Sequence, residues 1–325
     1  MKAWQIHKLG EPIDSLTLGE VPVREPEYGE LLIDVDAVGL AFPDVLQCRG
    51  EYQIKPPLPF IPGGETTGRV AAVGEGVEGY GVGQRIAALG GGLAEQTIVH
   101  AHMTAKIPDT LDEVKAAALP MNYGTTWFAL HDRARIQKGE TLLVTGASGG
   151  TGSAAIQLGL AAGATVIAVA GGAEKVEACR QLGANEVIDH QVTEDLVAQV
   201  REITGNKGVD VAYDPVGGET FQKVRRCMAW DGRLLVIGFV AGIPELATNH
   251  VLLKNYSVVG VHWGASLGRY PDSFKEQMRA VIELGEAGKV DPLLHPPFSF
   301  DSSNRALQDI ADRKVIGKVV VDLKI

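Results

Sequence analysis

Short runs that are apolar along their whole length, not at alternate positions, dominate the second half of this chain. Thr141–Val144 and Thr165–Val169 are two of them, and this is the pattern of strands covered on both faces in a parallel sheet. Between them, Ser153–Ala162 is a small-residue helix that Gly163 stops, so the three segments form a βαβ unit. Later runs at Glu186–Asp189, Val209–Tyr213, Arg233–Ile237 and Tyr256–Val261 alternate with helical segments such as Thr193–Thr204. Six parallel strands of this kind predict an α/β fold with a doubly wound sheet.

The first half has a different texture. Glu30–Val38, Thr67–Val73, Arg85–Ala88 and Ala94–Val99 are β-type runs broken by Gly and Pro, which predict a small barrel-like all-β domain. Glu113–Leu119 and Gly124–Ala134 are predicted helices at the change of texture. After Gly264 come a helix at Ser273–Glu286, a Pro-rich connector at Pro292–Pro297, a helix at Asn304–Asp312 and a last strand at Lys318–Leu323. This tail is predicted to return to the first domain, giving 1–120 and 262–325 as one domain and 121–261 as the other.

The turn between the first two parallel strands carries the sharpest chemistry. Ala147-x-Gly149-x-x-Gly152 follows the strand and opens the helix, with Ala where the dinucleotide fingerprint has its first glycine. Ser148, Gly149, Gly150, Thr151 and Gly152 therefore present backbone N–H groups and a helix N-terminus to a pyrophosphate. At the end of the second strand, where an NAD enzyme carries an acid for the ribose 2′-hydroxyl, the chain has Ala170, Gly171, Gly172 and Ala173, with Glu174 and Lys175 beyond them. An absent acid and a nearby cation favour NADPH over NADH. His190, Asp214, Gly238, Phe239, Val240, His262 and Trp263 stand at later strand ends, where an open α/β sheet binds its ligand. The same turn satisfies the G-x-S-x-G pattern of a hydrolase nucleophile elbow through Gly146, Ser148 and Gly150. The upstream chain, however, shows no strand–helix alternation to supply an oxyanion loop.

Composition narrows the partners. With 325 residues, 45% of them hydrophobic, the chain can bury one large core or two smaller ones, two domains being expected, and a net charge of −10 argues against nucleic acid or an anionic membrane, which demand a basic face. No apolar stretch is long enough to span a bilayer and the start lacks a secretory pattern, so a cytoplasmic protein is expected. Cys48, Cys179 and Cys227 are odd in number and far apart, which predicts free thiols. His100 and His102 are expected at a polar strand edge, and His131–Asp132 on a helix surface.

The organisation, with Gly39–Leu46, Gly50–Gln53, Pro59–Glu65, the loop at Ala147–Gly152, Tyr213–Gly218 and Gly317–Val320, resembles the medium-chain dehydrogenase/reductase superfamily. Its zinc-independent quinone oxidoreductase (zeta-crystallin-like) branch is the most similar. The resemblance implies a GroES-like β-barrel catalytic domain beside a Rossmann-type NADPH-binding domain. Zinc-dependent members carry Cys and His at the positions of Ala41 and Gly64, so no catalytic metal is expected. The resemblance further implies that the nicotinamide lies against Ala41, Phe42, Pro43 and Asp44, that Tyr52 and either Asn122 or Tyr123 line the substrate cavity, that Thr126 is near the pyrophosphate, and that Arg313 joins Lys175 at the 2′-phosphate. Family members often have Asn at position 41, which weakens the carry-over of substrate. A quinone or enone is the expected substrate, with an enoyl-thioester reductase or a non-catalytic NADPH-binding protein as alternatives, and a homodimer is the expected assembly.

Overall fold

The computed structural model describes residues 1–325, which fall into two compact units. The first comprises Met1–Asn122, Arg269–Ile282 and Leu294–Ile325; the second comprises Tyr123–Gly268 and Glu283–Leu293. The second unit thus keeps residues 262–268 and 283–293, which the sequence pattern assigns to the first domain. No helix is long and apolar enough to cross a membrane.

In the first unit β1 (Lys2–Ile6) and β2 (Leu16–Glu20) form an antiparallel hairpin. β3 (Glu30–Leu40), β4 (Glu65–Val73), β5 (Arg85–Leu89), β6 (Gln96–His100) and β7 (Thr104–Lys106) build the main sheet. Between β3 and β4 the helix α1 (Phe42–Arg49) has Pro43 in its first turn and is closed by Gly50 in the left-handed conformation, the usual asymmetry of helix termini. The helix α2 (Pro120–Trp127) carries the chain from one unit into the other.

The second unit holds β8 (Thr141–Val144), α3 (Gly150–Ala161), β9 (Thr165–Ala170), α4 (Ala173–Gln181), β10 (Glu186–Asp189), β11 (Val209–Asp214), β12 (Met228–Val236) and β13 (Ser257–Gly260). All neighbours in its sheet are parallel, in the order β10-β9-β8-β11-β12-β13. The order reverses at β8, which sets its C-terminal end as the place for a ligand. Leu142, Leu143, Val144, Val166, Ile167 and Ala168 are fully buried, as their unbroken apolar pattern requires. The chain then returns to the first unit, where β14 (Phe298–Ser299) and β15 (Val319–Asp322) complete the order β14-β15-β3-β4-β5-β7, with β6 also paired to β3. Ile33, Leu40, Val45, Ile86, Leu93, Leu307 and Val319 share the core this sheet covers.

Three local expectations are corrected. The single helix expected at Gly124–Ala134 is α2 followed by a π-helical turn at Phe128–Arg133, in which the Ala134 N–H donates to the Ala129 carbonyl at 2.9 Å. The widened turn inserts a residue that periodicity does not reveal. The helix expected from Ser153 begins three residues earlier, because Gly150–Gly152 reads locally as loop but is held helical by the Ser153 N–H on the Gly149 carbonyl at 2.8 Å. His102 lies in a 3-10 turn beyond the end of β6 and not on the strand with His100, their rings 5.5 Å apart.

Candidate functional site

The glycine turn after β8 is built by backbone. Gly146 takes φ +57°, the Gly149 N–H donates to its carbonyl at 3.0 Å, and Gly149 sits in extended conformation as the residue before α3. A Cβ on Gly152 would stand 2.2 Å from the Gly146 oxygen and 2.8 Å from the Ala147 Cα, so only glycine lets the first turn of α3 close over the strand end. The free N–H groups of that turn point where an anion is stabilised by the helix dipole. The residues therefore fit a dinucleotide.

Buried hydroxyls fix this turn from beneath. The Tyr213 and Thr126 hydroxyls lie 3.0 Å apart, and Thr126 also donates to the Thr151 carbonyl at 3.3 Å. Burial pushes the Tyr213 phenol up to about 12, so it remains a neutral donor. Asp214, at the end of β11, accepts from the Thr145 hydroxyl at 2.6 Å and from the Val216 and Gly217 N–H groups. Its carboxyl is raised by burial, and its role in the fold is to hold the loop beside the glycine turn. Gly238, Phe239 and Val240 continue this surface: the Val240 N–H donates to the Pro215 carbonyl at 3.3 Å, and Phe239 is exposed. His262 is exposed after the end of β13. Trp263 is instead a core residue, packed on Gly124 where a Cβ would meet the indole at 2.3 Å.

At the end of β9, Gly171 faces the ring of His190, whose Nε2 would lie 2.5 Å from a Cβ there. Gly172 has φ +88° and leads into α4, which carries Lys175 in its first turn. Arg313 belongs to the first unit, where it follows the helix Ser303–Ala311 in left-handed conformation.

In the first unit Asp44 turns back to accept the Ala41 N–H at 2.7 Å and so shapes the Ala41–Asp44 loop into the start of α1. Phe42 and Pro43 stand in that same first turn. Burial raises the Asp44 carboxyl to about 6, against the pull of the Ala41 N–H and of Lys318. Tyr52 is half-buried, and burial together with the charge of Asp44 raises its phenol, which keeps the hydroxyl protonated. Asn122 is buried on α2. Tyr123, the alternative to it, is engaged elsewhere: its hydroxyl donates to Gln157 at 2.8 Å.

One buried charge pair leaves almost no trace in the sequence. Glu65 and Lys318 form an ion pair with side chains 1% and 3% exposed, and Glu65 also accepts the Met121 N–H at 2.7 Å. This charge pair ties β4 and the segment entering β15 to the start of α2. Its only local signal is a charged residue within apolar surroundings at each position.

A parallel sheet with a glycine turn at its reversal point, joined to a β-rich unit carrying buried acid and amide groups, defines a nucleotide-dependent oxidoreductase of two units. The sequence matches the family models for the alcohol dehydrogenase GroES-like domain over residues 27–109 and for zinc-binding dehydrogenase over residues 150–284. It is 38% identical to quinone oxidoreductase-like protein 2 of Rattus norvegicus over 95% of this chain and 89% of that protein, and 31% identical to the quinone oxidoreductase of Rattus norvegicus over 95% and 94%. Mycobacterial Rv1454c complexed with NADPH superposes with a TM-score of 0.92 at 28% identity, covering 99% of this chain and 100% of that one. The chain belongs to the medium-chain dehydrogenase/reductase superfamily, as a zinc-independent, quinone oxidoreductase-like member. It is an oxidoreductase, which removes the hydrolase reading of Ser148.

The donor set does not fit a catalytic zinc. Positions 41 and 64 offer Ala and Gly, which carry no donor atom, and Glu65 is already bound by Lys318 and the Met121 N–H.

Proposed function

We propose that this protein is an NADPH-dependent reductase of quinones or related α,β-unsaturated carbonyls, working in the cytoplasm without zinc. The observation that carries this reading is the combination of a turn only glycine can form at Gly152, Lys175 in the helix turn after a Gly171–Ala173 loop that has no acid, and Ala and Gly at positions 41 and 64, which offer no metal ligand. The nicotinamide, when bound, supplies a hydride. Ser148–Gly152 and Thr126 bind the pyrophosphate, Gly171, Lys175 and His190 the adenosine end, and Asp214, Gly238, Phe239, Val240 and His262 flank the nucleotide. Ala41, Phe42 and Pro43 form the loop against the nicotinamide, and Asp44 fixes that loop. Tyr52 and Asn122 donate hydrogen bonds to the substrate oxygen as negative charge develops there. Conjugated carbonyls suit such a site because they accept hydride without the strong polarisation an isolated ketone requires.

Purified protein treated with a chelator is expected to oxidise NADPH in the presence of small quinones or an α,β-unsaturated ketone, at the rate of untreated protein. Activity abolished by the chelator would overturn the zinc-free reading. Turnover confined to a crotonyl thioester would assign the enoyl-thioester alternative, and tight NADPH binding with no turnover on any acceptor would favour a binding protein.

A homodimer completes the proposal. β13 stands at the end of the sheet order, and Leu252 and Leu253 on the preceding helix are 79% and 72% exposed, the kind of edge and apolar surface that pairs with a second copy. Light scattering is expected to report twice the chain mass of 34.5 kDa; a single chain mass would refute it.

A further inference from the structure

The loop Gly171–Ala173 after β9 contains no acid, and the first one along the chain is Glu174 in α4, yet the fold delivers another to the loop itself. β10 runs parallel to β9 with Asp189 opposite Ala170, so the two strands end at the same level. From there the Asp189 Oδ1 accepts the Gly172 N–H at 3.0 Å and the Gln191 N–H at 2.9 Å, while the His190 N–H donates to the Ala170 carbonyl at 2.9 Å. Gly172, with φ +88°, is the residue that turns the chain into α4. The two backbone donors hold the Asp189 carboxyl below its usual range, so it is ionised at neutral pH. The carboxylate thus lies one residue from Gly171 and three positions from Lys175 along the loop and helix that would receive the ribose.

We propose that Asp189 is a specificity-determining residue that narrows the preference for NADPH over NADH. This rests on the nucleotide site proposed above. Lys175 attracts a 2′-phosphate, whereas the Asp189 charge repels it and occupies the Gly172 N–H that would otherwise be offered to a phosphate oxygen. For NADH the same carboxylate presents its second oxygen to an uncharged ribose hydroxyl, an interaction that neutralising it would weaken. Both effects act in one direction on the ratio of the two affinities.

Asp189→Asn separates charge from geometry, because its amide oxygen still accepts both N–H groups. Dissociation constants for NADPH and NADH are measured by calorimetry on wild type and variant, which needs no turnover. Wild type is expected to bind both nucleotides with a preference for NADPH of less than about 100-fold, and Asp189→Asn is expected to raise the NADPH-over-NADH preference by about 5- to 10-fold. A ratio unchanged in Asp189→Asn overturns the inference and leaves the NADPH reading intact. A wild-type preference far above about 100-fold does the same, since the charge would then not limit selectivity. Wild type that binds neither nucleotide overturns the proposed function and the inference together.

Discussion

Lys318→Met is expected to lower folding stability by about 3–5 kcal/mol, the usual effect of removing one partner from a buried ion pair. The pair is almost inaccessible to water, and the carboxylate left behind at Glu65 would keep only the Met121 N–H as a partner. Asp44 adds to the cost. Its carboxyl is already raised to about 6 by burial, and Lys318 is one of the charges restraining that rise. Without the ammonium, Asp44 and Glu65 would face each other across apolar surroundings with their mutual repulsion unrelieved. The second variant Glu65→Gln/Lys318→Met removes both charges and keeps an acceptor for Met121, so it should recover most of the loss. Urea unfolding at neutral pH distinguishes the cases: a single variant within about 1 kcal/mol of wild type would show that the pair contributes nothing beyond a surface contact.

Gly152→Ala is the second large effect. The added methyl would meet the Gly146 oxygen at 2.2 Å and the Ala147 Cα at 2.8 Å, and both are backbone atoms that no rotamer change can move. The first turn of α3 must open, with an expected stability loss of about 3 kcal/mol. Because the same turn presents the N–H groups to the pyrophosphate, NADPH affinity should fall by about 100-fold, equivalent to roughly 3 kcal/mol. Gly149→Ala is the control. Its nearest obstacle is the Gly146 oxygen at 3.3 Å and its backbone is extended, so the fold should hold within about 1 kcal/mol while a methyl on the ligand side still weakens the nucleotide. Equal NADPH binding by wild type and Gly152→Ala would remove the loop assignment.

The parallel sheet was legible because burial on both faces leaves a local record: Thr141–Val144, Thr165–Ala170 and Glu186–Asp189 stand nearly where their apolar runs predict. The β-rich half was legible from runs broken by Gly and Pro, although the short helix α1 within it carries too weak a periodicity to be seen. The glycine turn and the absence of zinc ligands at 41 and 64 are properties of residue type at a position, so the sequence by itself determined them. Partnerships across long separations left no such record. The Tyr213 hydroxyl meets Thr126 from 87 residues away, Lys318 meets Glu65 from 253, and Asp189 reaches Gly172 across 17. Each depends on strand order and register, which only the tertiary structure decided: hydrophobic patterning specifies which face of an element is buried, but a hydrogen bond or ion pair requires two particular atoms to arrive within about 3 Å of each other.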